Sequence, residues 1–396
     1  MYALTQYLLS LEDLFGVTRT LEGWELCRRT NGRPWFAAGN TAIVFRIRRG
    51  DEVRALRCYR RPMRHLRAIY GERLLERELF LFTGNDCGVW VDVVLDDWIE
   101  GITLREAIFD AARRRDTERL TALSLAFDRL GSGLLAADWA HGDLKPENIL
   151  VDAAGALRLI DFDACYRPEF AGDRAPELGT AAFQHPSRTA DDFHAGLDDY
   201  PIALTATALH ALRLQPDLLD RYGDRDGLLF DPPRIADDEA LREVLMHFAM
   251  RGLAACYRVA ELLGSPTLRL PQLPALLEAA RAEVERETAP AEGTETEAPD
   301  EAAGDAWPEL FVEGGRWGYR TAIKTVVPPL YDSGFDFTEG LAAVQLAGMW
   351  HYIDPTGRPV IHCPDCDAVK PFRNGEAVVL RHGVRSRIDR TGKTKV

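Results

Sequence analysis

Nowhere in its 396 residues does this chain hold the roughly 20 consecutive apolar residues that a membrane helix requires, so no membrane span is expected. Its first residues, MYALTQYLLSLEDLF, have no basic leading region and carry Glu12 and Asp13, so no secretory signal is expected. Positive charge is in short supply: 48 Lys and Arg against 62 Asp and Glu leave a net charge of −14. Without a basic footprint, binding to nucleic acid is not expected. The short arginine runs (Arg60, Arg61, Arg64, Arg67; Arg113 to Arg115) read as solvated helix faces. The seven cysteines are odd in number and scattered, which excludes a disulfide framework and points to a reducing, cytoplasmic setting.

What remains is an ordinary globular composition, 46% hydrophobic and 28% charged, on a chain too long for one core. The clearest boundary is residues 288–306, TAPAEGTETEAPDEAAGDA, which hold almost no large apolar groups. Such a segment cannot bury enough surface to offset its ordering entropy and reads as a flexible acidic linker. Before it, residues 31–287 begin strand-rich. RPWFAAGN, TAIVFRIRR and EVRALRCYR alternate well, MRHLRAIYGERLLER has helical periodicity, and ELFLFTG with VWVDVVLDDW reads as a hairpin. The remainder is mostly helical, closing with PQLPALLEAARAEVERE. The expected fold class is therefore α+β with two lobes, 31–97 and 98–287. Residues 1–30 are expected to form a helical extension packed on the first lobe.

After the linker comes an internal repeat over residues 307–396. FTEGLAAV (337–344) returns as FRNGEAVV (372–379), and IDPTGR (353–358) returns as IDRTGK (388–393), both 35 residues on. A degenerate earlier copy, GGRWGY (314–319), matches AGMWHY (347–352). Two matches at one offset signal a repeat array of short strands with Asn-Gly and Thr-Gly turns. This segment resembles the WG repeats of bacterial proteins, named for a pair like Trp317-Gly318, and the resemblance implies a β-rich module that recruits a protein partner. Cys363 and Cys366 in HCPDC are half of a possible zinc site or an ordinary repeat loop. Trp317, Tyr319, Trp350 and Tyr352 are either repeat core or a peptide-binding face.

The chemistry is concentrated in HGDLKPENIL (141–150) and LIDFD (159–163). Phosphoryl transfer needs a cradle for the phosphates, a cation on them, oxygen ligands for Mg²⁺ and a carboxylate facing the acceptor hydroxyl. In that scheme Asp143 orients the hydroxyl, Lys145 faces the transferring phosphate, and Asn148 and Asp161 hold the metal. At this spacing the sequence resembles the eukaryotic-like serine/threonine protein kinases, whose loop reads H-R-D-L-K-P-x-N before D-F-G. The resemblance implies a two-lobed kinase fold, ATP and Mg²⁺ as cofactors, and protein substrates. GTAAFQHPS (179–187) is similar to the end of a kinase activation segment. It puts Thr180 where it bridges the catalytic Asp and Lys, and Asp198 where it braces the loop. DDWIEGITL is similar to the hinge, with Asp97, Trp98 and Ile99 facing adenine. AAGNTAIV is similar to the glycine-rich loop, with Gly39 and Asn40 at the phosphates. Arg57 stands for the usual lysine, with Glu72 as its expected carboxylate and Glu76 as the alternative.

Several positions depart from the family pattern. Ala37 and Ala42 replace glycines, Gly142 replaces the arginine of H-R-D, Asp163 replaces the glycine of D-F-G, and Ser187 replaces the glutamate of A-P-E. An arginine's planar fork is not interchangeable with an ammonium. Without the H-R-D arginine, no phosphorylation switch on the activation segment is expected. Arg57 and the depleted glycine loop leave open a catalytically weak or inactive pseudokinase scaffold. Gly142 leaves open a small-molecule kinase of the aminoglycoside or choline type.

Overall fold

The structure, a computed structural model, describes residues 1–12, 14–39, 41–84, 87–223, 226–288 and 307–395. The segment expected as a linker, apart from Thr288, lies outside the described residues, as does Asn40. The chain forms two compact units, residues 1–101 with 158–165, and residues 102–157 with 166–396. The first therefore takes in both the N-terminal 30 residues and the short 158–165 stretch, which the expected boundary at 97 did not separate out.

The first unit is built on an antiparallel sheet. Helix α1 (Leu4–Leu11) leads into β1 (Glu25–Leu26), β2 (Phe36–Ala38), β3 (Ala42–Arg49) and β4 (Glu52–Tyr59). Helix α2 (Leu66–Tyr70) and a 3₁₀ turn (Gly71–Arg73) precede β5 (Leu74–Phe82) and β6 (Gly88–Asp97). The order is β1-β3-β4-β6-β5, with β2 also on β3. Strand alternation sends Ile43, Phe45, Ile47, Leu56, Cys58, Leu79, Leu81 and Val93 to one face. There Tyr7, Leu11, Leu14, Leu21 and Trp24 of the N-terminal segment complete one core. Each such buried side chain contributes about 1.5–3 kcal/mol, so the segment is part of the unit's core and not an appendage. The opposite face of β4 carries Arg57 and Tyr59.

The helix expected over MRHLRAIYGERLLER is five residues long, and the chain is a strand from Leu74 onward. Leu74 and Leu75 pair with Val94 and Val93, and the ladder resumes at Leu79 after a register shift marked by Arg77 at φ 49°. Tertiary pairing with Val93 and Val94 of β6 outweighs the weak local helical preference. Buried Glu78 follows from the same bend: its Oε1 accepts the backbone N–H groups of Arg19, Thr20 and Leu21.

The second unit opens with β7 (Ile102–Thr103) and α3 (Leu104–Arg113), whose capping box has Glu106 N donating to Thr103 Oγ1 and Thr103 N to Glu106 Oε2. α4 (Thr117–Leu135) is capped by Asp116, and β8 (Ile149–Val151) pairs with β7. A further strand, β9 (Leu157–Leu159), spans the boundary residue. α5 (Asp199–Leu214) is buried from Tyr200 to Arg213, as an apolar central helix must be. α6 (Leu218–Tyr222), α8 (Ala254–Glu261) and α9 (Leu273–Thr288) pack on it, and α7 (Glu239–Met250) packs on α8.

Three antiparallel sheets end the chain. They are β10 (Glu309–Glu313) to β12 (Thr325–Tyr331), with β11 (Arg316–Arg320) between them; β13 (Ser333–Gly334), β14 (Ala342–Leu346), β15 (Met349–Ile353) and β16 (Pro359–Cys363); and β17 (Ala368–Val369), β18 (Glu376–Arg381), β19 (Val384–Asp389) and β20 (Thr394–Lys395). The repeat has a physical content. Tyr319 packs edge-on to Phe337 at 4.9 Å, and Tyr352 does the same to Phe372 at 4.9 Å. Asp354 Oδ1 accepts from Thr356 N, Thr356 Oγ1 and Arg358 N, and Asp389 repeats the turn with Thr391 and Lys393. Tyr319, Trp350 and Tyr352 are core residues. The sheets rest on the helical body. Arg258 of α8, buried, donates from Nε to Leu330 O at 2.8 Å and from Nη2 to Asp332 Oδ1 at 2.9 Å.

Candidate functional site

The second unit gathers Asp143, Lys145, Asn148, Thr180 and Asp198. The loop between Ala140 and β8 is fixed at its start by the paired backbones of Ala140 and Tyr166. It turns at Gly142, whose φ of 78° is the left-handed region, and ends in a 3₁₀ turn, Pro146–Asn148. Asp198, at the head of α5 and 3% exposed, accepts the His141 N–H on Oδ2 and the Gly142 N–H on Oδ1 at 3.0 Å. Burial raises the Asp198 carboxyl above its ordinary value, while His141 and these two N–H groups pull the other way. Stripping two amides of this one acceptor would leave both unsatisfied inside the protein, so the contact locks the loop.

Held in this way, Asp143 is surrounded by donors. Thr180 N donates to Oδ1 at 2.6 Å, Asn148 Nδ2 to Oδ2 at 3.2 Å and to the Asp143 carbonyl at 2.8 Å. Lys145 Nζ lies 3.1 Å from Oδ2 and donates to Thr180 Oγ1 at 2.6 Å. Gly179 brings Thr180 into reach. At φ 72° it lies so close to the loop that a Cβ there would sit 2.9 Å from Gly142 O and 3.0 Å from Asp143 Oδ1. Asp143 and Lys145 are 16% and 22% exposed in their side chains, enough to meet a substrate without being bathed in water. An oriented carboxylate beside a cation and a hydroxyl can take a proton from an incoming alcohol.

Sequence reasoning missed Arg188. It is buried, donates from Nη1 to Gly142 O at 2.7 Å, and contacts Gln184 Oε1. Burial holds its guanidinium below the ordinary value, against the pull of Asp198 and Asp143. A cation therefore does stand near the loop, although Gly142 replaced the expected one. Its place directly after Ser187 gave no signal.

The first unit holds the other residues. Gly39 N bonds Ala42 O at 2.9 Å, closing the turn from β2 to β3. Beyond the end of β6, Trp98 packs edge-on to Trp35 at 4.6 Å with the Arg46 guanidinium 5.0 Å above its ring, Asp97 is paired with Arg54, and half-buried Ile99 follows. Arg57 lies 12% exposed on β4. Its partners are not the expected ones. Glu72 is exposed on the 3₁₀ turn and Glu76 pairs with Arg67, because the chain there is turn and strand instead of a continuous helix. Among the described residues, Arg57 has Asp161 and Asp163 as its carboxylates. Burial works against its charge, but Asp161, Tyr70 and Asp163 override this and hold the guanidinium well above its ordinary value. Asp161 stands at φ 68°, ψ 63°, a backbone conformation uncommon outside glycine and a frequent mark of functional positions.

Cys363 and Cys366 are buried thiols, with burial pushing Cys363 up to about 12. Among the described residues no group of three or more His, Cys, Asp or Glu is placed to hold a metal ion, so a zinc site there lacks further ligands. Also among the described residues, no helix is long and apolar enough to cross a membrane.

Residues 324–350 and 352–383 match the family model for the WG containing repeat, so the C-terminal sheets carry WG repeats. The match covers the repeat region and does not extend to the residues before it. A search of curated proteins finds no match to the chain.

Proposed function

We propose that this chain transfers the γ-phosphate of ATP, with Mg²⁺, to serine or threonine hydroxyls of protein substrates. On this reading residues 31–287 are a protein-kinase-like domain working in the cytoplasm, and the WG repeats recruit a protein partner. The observation that carries it is the donor-ringed carboxylate of Asp143, with Lys145, Asn148 and Thr180 about it and Asp198 beneath the loop. A purely structural loop has no need of a largely buried ion pair bridged by a threonine from 35 residues away.

Each unit offers a side-chain oxygen whose chemistry suits a hard cation. Asn148 spends its amide nitrogen on Asp143, so its oxygen is the side-chain atom that can meet a hard cation. Asp161 gives only Oδ1 to Arg57 and is 41% exposed. Bound, Mg²⁺ and ATP supply the charge neutralisation and the phosphoryl group. The chain's own part is to hold Asp143 at the acceptor hydroxyl, with Lys145 beside it.

Purified full-length protein is expected to label a protein substrate or itself from ATP, and Asp143→Asn and Asp161→Asn are each expected to abolish this. Labelling that survives both changes refutes the reading.

One observation favours a second reading, the pseudokinase scaffold: Arg57 already closes on Asp161, the carboxylate expected to hold metal. Titrating ATP with and without Mg²⁺ separates the two, since a scaffold leaves ATP unbound at millimolar concentration.

A further inference from the structure

We propose that Asp163, clamped by Tyr59 and Tyr70, is the residue that positions Arg57 for nucleotide phosphate, in the role the sequence pattern gave to Glu72. The proposal rests on the phosphotransfer reading and concerns the first unit alone.

The geometry divides the carboxylate in two. Oδ2 of Asp163 accepts Arg57 Nε at 3.0 Å and Nη2 at 2.6 Å, and Oδ1 accepts the hydroxyls of Tyr59 at 2.9 Å and Tyr70 at 2.8 Å. At 3% side-chain exposure Asp163 is closed to water, and both its oxygens are taken by these four donors. Such a carboxylate has no freedom to swing, and the flat guanidinium it grips from two nitrogens is fixed in plane. Tyr70 closes α2, so this short helix reaches the site through a phenol where a longer helix would have used a carboxylate.

Asp161 is held differently. It touches the same Nη2 through Oδ1 alone, and it is 41% exposed. A cation that takes Asp161 away leaves Arg57 gripped by Asp163. Neither carboxylate uses Nη1, which is the nitrogen left for a phosphate oxygen. Charge sets the order of events. Arg57 with two aspartates carries a net −1, which repels a polyphosphate until a divalent cation occupies Asp161. Nucleotide binding is therefore expected to depend steeply on Mg²⁺.

Two readouts on the full chain test this. The first is labelling of Arg57 by phenylglyoxal, followed by peptide mass, which needs no activity. The second is the dissociation constant for ATP with Mg²⁺. Asp163→Asn is expected to label several times faster than wild type and to weaken ATP about tenfold, as loss of a charge-assisted two-nitrogen contact requires. Tyr70→Phe, which removes one hydroxyl and little else, is expected to move both readouts the same way by about threefold. It keeps the test open if Asp163→Asn fails to fold. Glu72→Gln is expected to match wild type in both. The proposal is overturned if Glu72→Gln weakens ATP while Asp163→Asn and Tyr70→Phe do not, or if Arg57 labels at the wild-type rate in both of those variants. A wild-type chain that binds no ATP refutes the phosphotransfer reading and the phosphate role of Arg57 with it, while the labelling contrast still decides whether Asp163 anchors Arg57.

Discussion

Protonation of His351 is expected to destabilise the repeat region as pH falls from 6.5 to 4. The ring lies on β15 at 0% exposure, opposite His362 of β16, with the two Nδ1 atoms 3.1 Å apart. The turn after α7 covers it: a Cβ on Gly252 would come within 3.3 Å of His351 Nδ1. One Nδ1 must donate and the other accept, so a second proton on that contact would set N–H against N–H. Burial, and then the neighbouring His362, lower the His351 value from 6.5 to about 4. The unfolded chain thus takes up a proton that the folded chain refuses. Stability from this group is whole above pH 6.5 and is lost as pH falls through the window down to 4. A shift of this size corresponds to about 3 kcal/mol in all, of which about 2 kcal/mol is gone by pH 5. Burial also lowers His362, a loss of the same sign. The assay is urea unfolding of wild type and His351→Asn at pH 7 and pH 5, followed by tryptophan fluorescence. Asparagine loses packing at both pH values but cannot titrate. The stability gap between the two proteins is expected to narrow by about 2 kcal/mol at pH 5. A gap of equal size at both pH values refutes the reasoning.

Two further outcomes follow from packing. Gly179→Ala forces a Cβ against Gly142 O and Asp143 Oδ1 at a left-handed φ. On the proposed phosphotransfer reading, turnover is expected to fall about a hundredfold with secondary structure intact, because the carboxylate is displaced; wild-type turnover with unchanged circular dichroism counts against Asp143 as the working group. Arg258→Met keeps the buried stem but removes the donors to Leu330 O and Asp332. With Asp332 and Glu261 about a third exposed, the expected loss is about 2 kcal/mol in urea unfolding, and an unchanged midpoint shows that the repeats do not depend on this contact.

What could be read from the sequence depended on how far the chain had to reach. Asp143, Lys145 and Asn148 lie within six residues, and their loop chemistry is nearly a local property. The repeats were legible because the same turn, Asp354 with Thr356 and Asp389 with Thr391, is written twice. The alternation of β3 and β4 gave the sheet. The partner of Arg57 was not legible. Its contacts to Asp161 and Asp163 lie 104 and 106 residues away, and that of Tyr70 to Asp163 lies 93 away. The helical spacing of residues 63–77 pointed to Glu72, and only the β5–β6 pairing reveals that no long helix exists there.

The departures from the kinase pattern are more coherent than they look one by one. An arginine for a lysine and an aspartate for a glycine read as two separate losses in the sequence. In the first unit they are one contact. A lysine ammonium is a point charge and could not occupy Asp163 with two nitrogens while also touching Asp161, whereas the guanidinium does both. The glycine, in turn, would leave that guanidinium, and the hydroxyls of Tyr59 and Tyr70, without their buried acceptor. Each change makes sense only with the other, so Arg57→Lys is expected to recover little when made alone. Coupling between Arg57→Lys and Asp163→Gly in a double-mutant cycle on ATP affinity measures this directly. Strict additivity would show that the two positions act independently and that the resemblance at each must be weighed separately.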